Sequence, residues 1–141
     1  MRRIASVAIV AALIGSGYWI ANAYFGVESE PASDGAAIAN VVLPATLSER
    51  ALIGRDGFEA NCAACHGVSG SGREGTAPPL VHKIYEPNHH GDESFQRAVA
   101  LGVRGHHWPF GDMPPLQGLS RDEVSSIIAY VRELQTANGI N

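Results

Sequence analysis

A chain of 141 residues with 10 Lys and Arg against 14 Asp and Glu, a net charge of −4 and only 2 cysteines has room for one domain and an appendage, not for two independent cores. Beyond residue 40 the balance is 8 basic against 11 acidic side chains, so there is no electrostatic case for nucleic-acid binding. No internal repeat, β-hairpin signal or phosphate-cradling glycine motif stands out.

The chain opens with Arg2 and Arg3, then 18 residues without a charged side chain, Ile4 to Ala21, then Tyr24, Phe25, Glu28 and Glu30. Basic, apolar and acidic blocks in that order make residues 1–27 a membrane anchor or signal segment. The run approaches the roughly 20 residues that span a bilayer, and Tyr18, Trp19, Tyr24 and Phe25 fall where an interfacial aromatic belt sits, which favours an uncleaved transmembrane helix. Ala21-Asn22-Ala23 offers the alternative, a cleavage site near Ala23. Either way Arg2 and Arg3 stay in the cytoplasm and the remainder crosses the membrane.

Residues 28–46 mix Pro, Gly, Ser and acids without helical period and read as a flexible linker, leaving 47–141 as the folded domain. Ser48 caps a first helix that runs through Leu52, Ile53, Gly54, Phe58 and Ala60 toward Cys62, with Glu49 in its first turn. From Gly67 to Gly75 the chain is too glycine-rich for regular structure, and Pro78-Pro79 ends any helix. Asp92 opens a second helix with Phe95, Ala98, Val99 and Leu101 as its stripe, broken by Gly102 and Gly105. Residues 105–118 are loop. Ser120-Arg121-Asp122-Glu123 is a capping box, Val124, Ile127, Ile128, Val131 and Leu134 follow at helical spacing, and Asn138-Gly139 supplies the stop.

Both cysteines lie in Cys62-Ala63-Ala64-Cys65-His66, the attachment spacing of a c-type haem. Residues i and i+3 on a helical turn share a face, so two thiols can reach two vinyl groups of one porphyrin while His66 offers an axial nitrogen. A redox dithiol needs no adjoining histidine, and zinc usually wants two more thiolates or imidazoles at paired spacing, while no second C-x-x-C is present. Three helices over about 100 residues make a thin core, so the porphyrin is expected to provide much of the apolar surface to be buried.

A second iron ligand decides between electron transfer and ligand chemistry. Met113, 47 residues after His66, is the only methionine besides the initiator. It sits in the proline-restricted loop Phe110-Gly-Asp-Met-Pro-Pro115, where it gains little as core filler. His82, His89, His90, His106 and His107 are rival ligands, and none of the five is distinguished by position. The pairs His89-His90 and His106-His107 can also be read as a copper or zinc site, or as solvated surface or propionate contacts. Trp108 and Phe110 flank the methionine loop and read as pocket walls, with the Trp108 indole proton a donor to a propionate.

From Cys62-Ala-Ala-Cys-His66-Gly67, Ala77-Pro78-Pro79-Leu80, Gly111-Asp-Met113-Pro114-Pro115 and Ile127-Ile-Ala-Tyr130-Val-Arg-Glu-Leu134, residues 47–138 resemble the class I c-type cytochromes. The resemblance implies an all-α cytochrome c-like fold, three main helices and haem-edge loops around one covalent haem c. It further implies Cys62 and Cys65 as attachment points, His66 and Met113 as axial iron ligands, and Pro78, Leu80 and Trp108 in the haem pocket. It matches the family's terminal-helix crossing with Gly54 and Phe58 against Ala129 and Tyr130, and gives the carbonyl of Pro78 as acceptor of the His66 ring proton.

The expected function is a monohaem electron carrier cycling between Fe(II) and Fe(III), not an enzyme, with redox partner proteins and no small-molecule substrate. Its expected place is the bacterial inner membrane with the haem domain in the periplasm, or the soluble periplasm after cleavage. The alternative is a cytochrome subunit of a multi-subunit dehydrogenase or oxidase, and a haem-based sensor is a third reading.

Overall fold

The computed structural model describes residues 35–141, and the expected anchor or signal at 1–27 lies outside them. Helix α1 spans Glu49–Asn61 and the single-turn α2 Ala63–His66. Short 3-10 turns follow at Val68–Gly70 and Lys83–Tyr85, and then come α3, Asp92–Leu101, and α4, Arg121–Ala137. Among the described residues β-structure is limited to two isolated bridges, Arg73 with Ala77 and Val103 with Met113. The architecture is therefore all-α, and no helix among the described residues is long and apolar enough to cross a membrane.

The helix ends follow from local chemistry. Ser48 Oγ accepts from Ala51 N at the start of α1, while Ser48 itself donates to the Glu133 carboxylate through N (3.0 Å) and Oγ (2.5 Å), tying the start of α1 to α4. At α4 the capping box is reciprocal, with Glu123 N donating to Ser120 Oγ and Ser120 N to Glu123 Oε2 at 2.8 Å. Each such cap satisfies donors the helix cannot reach itself and is worth about 1 kcal/mol.

Helix α1 packs across α4 to make the core of Ala51, Phe58, Val81, Ile127, Tyr130, Val131 and Leu134. All five apolar positions expected of α4 are buried. On α1 the buried face is Ala51, Gly54 and Phe58, at i, i+3 and i+7, whereas Leu52 and Ile53 are turned to the exterior. Gly54 marks the closest approach. A Cβ there would stand 1.8 Å from Ser126 O and 3.0 Å from Ile127 N, so only glycine lets the backbones meet. The contact falls one turn before Ala129, while the Phe58 and Tyr130 rings meet edge to face at 5.7 Å.

Helix α3 joins α4 through polar contacts. Gln96, buried, donates to Arg121 O and Ser125 Oγ, both at 2.9 Å. Its expected stripe is only half-buried at Phe95, Ala98 and Val99, and Leu101 is exposed at the end where Gly102 (φ 76°) breaks the helix. Residues 35–46, within the segment read as a linker, dock on the domain: Ile38 N and Ala39 N donate to Ser71 O, Glu74 N donates to Ala36 O, and Val42 bonds in both directions with the Asn138 side chain.

Substituting Gly54 by Val should destabilise the fold by about 3 kcal/mol, since the helices must separate to admit the side chain. Urea unfolding followed by far-ultraviolet circular dichroism reads the effect, and an unchanged midpoint would mean that α1 and α4 do not cross this closely.

Candidate functional site

The two cysteines sit where α1 gives way to α2. Cys62 leaves helical geometry (φ −120°, ψ −36°), so the pentad is a helix junction and not one uninterrupted helix. Its carbonyl accepts from both Cys65 N (3.1 Å) and His66 N (2.9 Å), which closes the turn and keeps the thiols and the imidazole on it. Both thiols are free, Cys62 half-buried and Cys65 exposed. Burial, helped by the neighbouring Cys65 and Glu59, pushes the Cys62 thiol up to about 11, so it is protonated at neutral pH.

His66 Nδ1 lies 2.9 Å from the carbonyl oxygen of Pro78. A carbonyl can only accept, so the ring proton is on Nδ1 and Nε2 keeps its lone pair. Burial holds the imidazole below its ordinary value, partly opposed by the Pro78 carbonyl, and the ring is therefore a neutral nitrogen donor. The loop 67–80 keeps that carbonyl in place. Gly72 N donates to His66 O at 2.6 Å and Leu80 N to Gly70 O at 2.9 Å. Gly72 has φ 75°, and a Cβ on it would reach 2.5 Å from Pro79 N, so the glycine-rich stretch is shaped by close backbone approach as well as by its turns.

Met113 is fixed from the other side. Val103 N donates to Met113 O and Met113 N to Val103 O, each at 2.9 Å, an isolated antiparallel bridge just beyond α3. Gly102 (φ 76°) makes this possible, because a Cβ there would be 2.5 Å from Met113 O. Gly105 N donates to Asp112 Oδ1 at 2.8 Å, which folds the far end of the same loop back. Glycines 102 and 105, legible in sequence as helix breakers, are also the points where the methionine loop presses on the chain.

Between these anchors lies a cavity of ≈ 570 Å³ whose lining includes Cys62, Cys65, His66, Pro78, Leu80, Trp108 and Met113. The half-buried Phe95, Ala98 and Val99 of α3 face it, as do Val124, Ile127, Ile128 and Val131 of α4. Trp108 stacks on Phe110 (5.8 Å, 9°) and meets His82 edge-on. Its buried Nε1 makes no hydrogen bond of good geometry among the described residues, although it lies near enough to the Tyr85 hydroxyl to lower that group's pKa against the larger effect of burial. Leaving such a donor unsatisfied costs about 1–3 kcal/mol, and an anionic acceptor in the cavity would remove that cost.

These residues fit a haem: apolar walls, two thiols on one turn, a neutral imidazole with its lone pair free, a soft thioether and a buried indole donor suited to a propionate. His82 lies off this lining, and its Nδ1 accepts from Ile84 N. His89, His90, His106 and His107 gather at the cavity, a clustering their positions in the chain do not reveal. His107 is held below its ordinary value by desolvation and then by His106, His90 and His89.

The family model described as Cytochrome c matches residues 51–135. A cytochrome c6 from Leptolyngbya boryana is 37% identical over 75 residues, which are 52% of this chain and 80% of that protein.

Replacing Cys62 or Cys65 by Ala should remove one thioether and sharply reduce the yield of pigmented protein. Haem staining after denaturing electrophoresis, alongside intact mass, checks this; normal staining of both variants would contradict covalent attachment through this turn.

Proposed function

The chain belongs to the cytochrome c family, as a class I monohaem c-type cytochrome that binds haem c covalently and transfers electrons between partner proteins, and on that premise we propose the division of labour among its residues and its place in the cell. Cys62 and Cys65 form the two thioethers. His66 and Met113 would ligate the iron, with Pro78, Leu80 and Trp108 in the pocket. When bound, haem c supplies a one-electron couple between Fe(II) and Fe(III).

The observation that carries this reading is that His66 and Met113, remote in sequence, line one cavity and are each pinned by backbone hydrogen bonds. Pro78 accepts the His66 ring proton, fixing the tautomer and orienting Nε2, as the outer partners of metal-bound histidines do. The thioether of Met113 favours the ferrous state and raises the potential. Trp108 donates its indole proton to a propionate, and the α3 and α4 walls keep water from the ring. With His66 and Met113 both given to the iron, no position would remain for a substrate, and the group would supply electron exchange alone.

The domain is placed outside the cytoplasm, on the periplasmic face of a bacterial inner membrane or released into the periplasm. What supports this is the order of Arg2 and Arg3, the apolar run to Ala21 and the acidic residues that follow. Intact mass of the native protein reads haem addition and processing near Ala23 together.

Substituting Met113 by Ala should keep the covalent haem, lower the reduction potential and open the ferrous iron to carbon monoxide. Potentiometry and carbon monoxide difference spectra on the purified variant check it. A potential and spectrum equal to those of the wild type would show that another side chain, one of the rim histidines, binds the iron.

A further inference from the structure

Four imidazoles meet where the turn before α3 faces the loop after it. The rings of His106 and His107 lie tilted at 4.2 Å between centroids, those of His89 and His90 meet edge to face at 4.7 Å, and His107 reaches across to His90 at 5.3 Å and to His89 at 5.6 Å. One ring nitrogen from each of His89, His90 and His107 lies within 4.8 Å of those of the other two.

Two features distinguish this cluster from a chance surface grouping. The first is orientation. His90 donates its Nδ1 proton to Ile84 O at 2.6 Å, which leaves Nε2 with its lone pair. Imidazoles that bind metals are held in this way by a carbonyl or carboxylate on the other nitrogen. The second is rigidity. Arg132 of α4 donates to His90 O (2.5 Å) and Tyr85 O (2.7 Å) while paired with Asp92 (2.9 Å) and lying over the Phe95 ring (4.9 Å). The backbone N–H groups of His89 and His90 both donate to Glu86 O, at 3.0 and 2.8 Å. The His90 ring is thus mounted on a braced turn, while His89 and His107 are exposed and free to adjust.

We propose that His89, His90 and His107 form a binding site for a divalent late first-row transition-metal ion, zinc or copper in kind, with a fourth position left to water. Neutral imidazoles suit zinc, copper and nickel, whereas calcium and magnesium require oxygen ligands. Nitrogens at zinc–nitrogen distances of about 2.0–2.1 Å stand roughly 3.3 Å apart in a tetrahedron, so rotamer shifts of the two exposed rings close the site. All three histidines also line the large cavity. A dication held there adds positive charge beside the prosthetic group and favours its ferrous form. The site rests on the reading that Met113, and not one of these histidines, holds the iron, and the Met113→Ala potential separates a failure of that reading from a failure of the site.

The test is titration of the ferric holoprotein with zinc chloride, by calorimetry and equilibrium dialysis, for the wild type and for His89→Ala, His107→Ala and the off-cluster control His82→Gln. The wild type and His82→Gln should bind one zinc ion per chain, and each alanine variant should bind at least about tenfold more weakly. The haem absorption and far-ultraviolet circular dichroism of the two alanine variants, both at exposed residues, should be unchanged, which separates lost ligation from lost folding. Zinc should raise the reduction potential of the wild type and not that of His107→Ala. Absence of saturable one-to-one binding, or equal affinity in the wild type and both alanine variants, overturns the site.

Discussion

The hydrogen bond from His66 to the Pro78 carbonyl joins two stretches that have little regular structure of their own, the helix-junction turn with its two cysteines and the glycine-rich loop that follows. Its 2.9 Å geometry depends on the loop doubling back at Gly67 and Gly72, both with positive φ, where a Cβ would strike Ser71, Gly72 or Pro79. In return it fixes the tautomer of the imidazole and aims the free nitrogen. Elsewhere on the cavity wall, the Val103–Met113 bridge fixes the backbone of Met113. One anchor is a side-chain bond to a loop carbonyl and the other a short backbone pairing, and glycines permit both.

The helices serve this arrangement unequally. The crossing of α1 and α4 forms a closed core with Phe58, Val131 and Leu134 buried, and that core carries Cys62 to the cavity edge. Helix α3 is held to α4 by Gln96 and by exposed ion pairs such as Arg121–Glu93, which contribute little individually. Its apolar residues are directed to the cavity instead. A porphyrin in that cavity would form the second half of the hydrophobic core and couple binding of the prosthetic group to the packing of α3.

Features governed by local chemistry were legible in the sequence. The α4 capping box and stripe, the Ser48 cap and the breaks at Gly102 and Gly139 concern neighbours a few residues apart, and the structure forms them at those positions. Tertiary choices were less legible. Leu52 and Ile53 continue a helical pattern, yet the face that meets α4 is set by Gly54. The Pro, Gly and Ser content before residue 47 signals lack of helix, but it carries no information about hydrogen bonds to Ser71 or Asn138. The four rim histidines occur as two pairs 17 residues apart, and only the fold brings them together. For the candidate site, residue types and spacing named the cysteines, the histidine and the methionine; what they left hidden was how the backbone holds each one.

The central claim, that His66 and Met113 hold the iron from opposite sides of one cavity, is tested most directly by proton NMR of the ferrous holoprotein. A methionine methyl seated over the iron lies in the shielding cone of the porphyrin ring current. The account predicts one three-proton resonance shifted far upfield of every other methyl and assigned to Met113. A Met113 methyl at the ordinary position of a solvent-exposed methionine would contradict it.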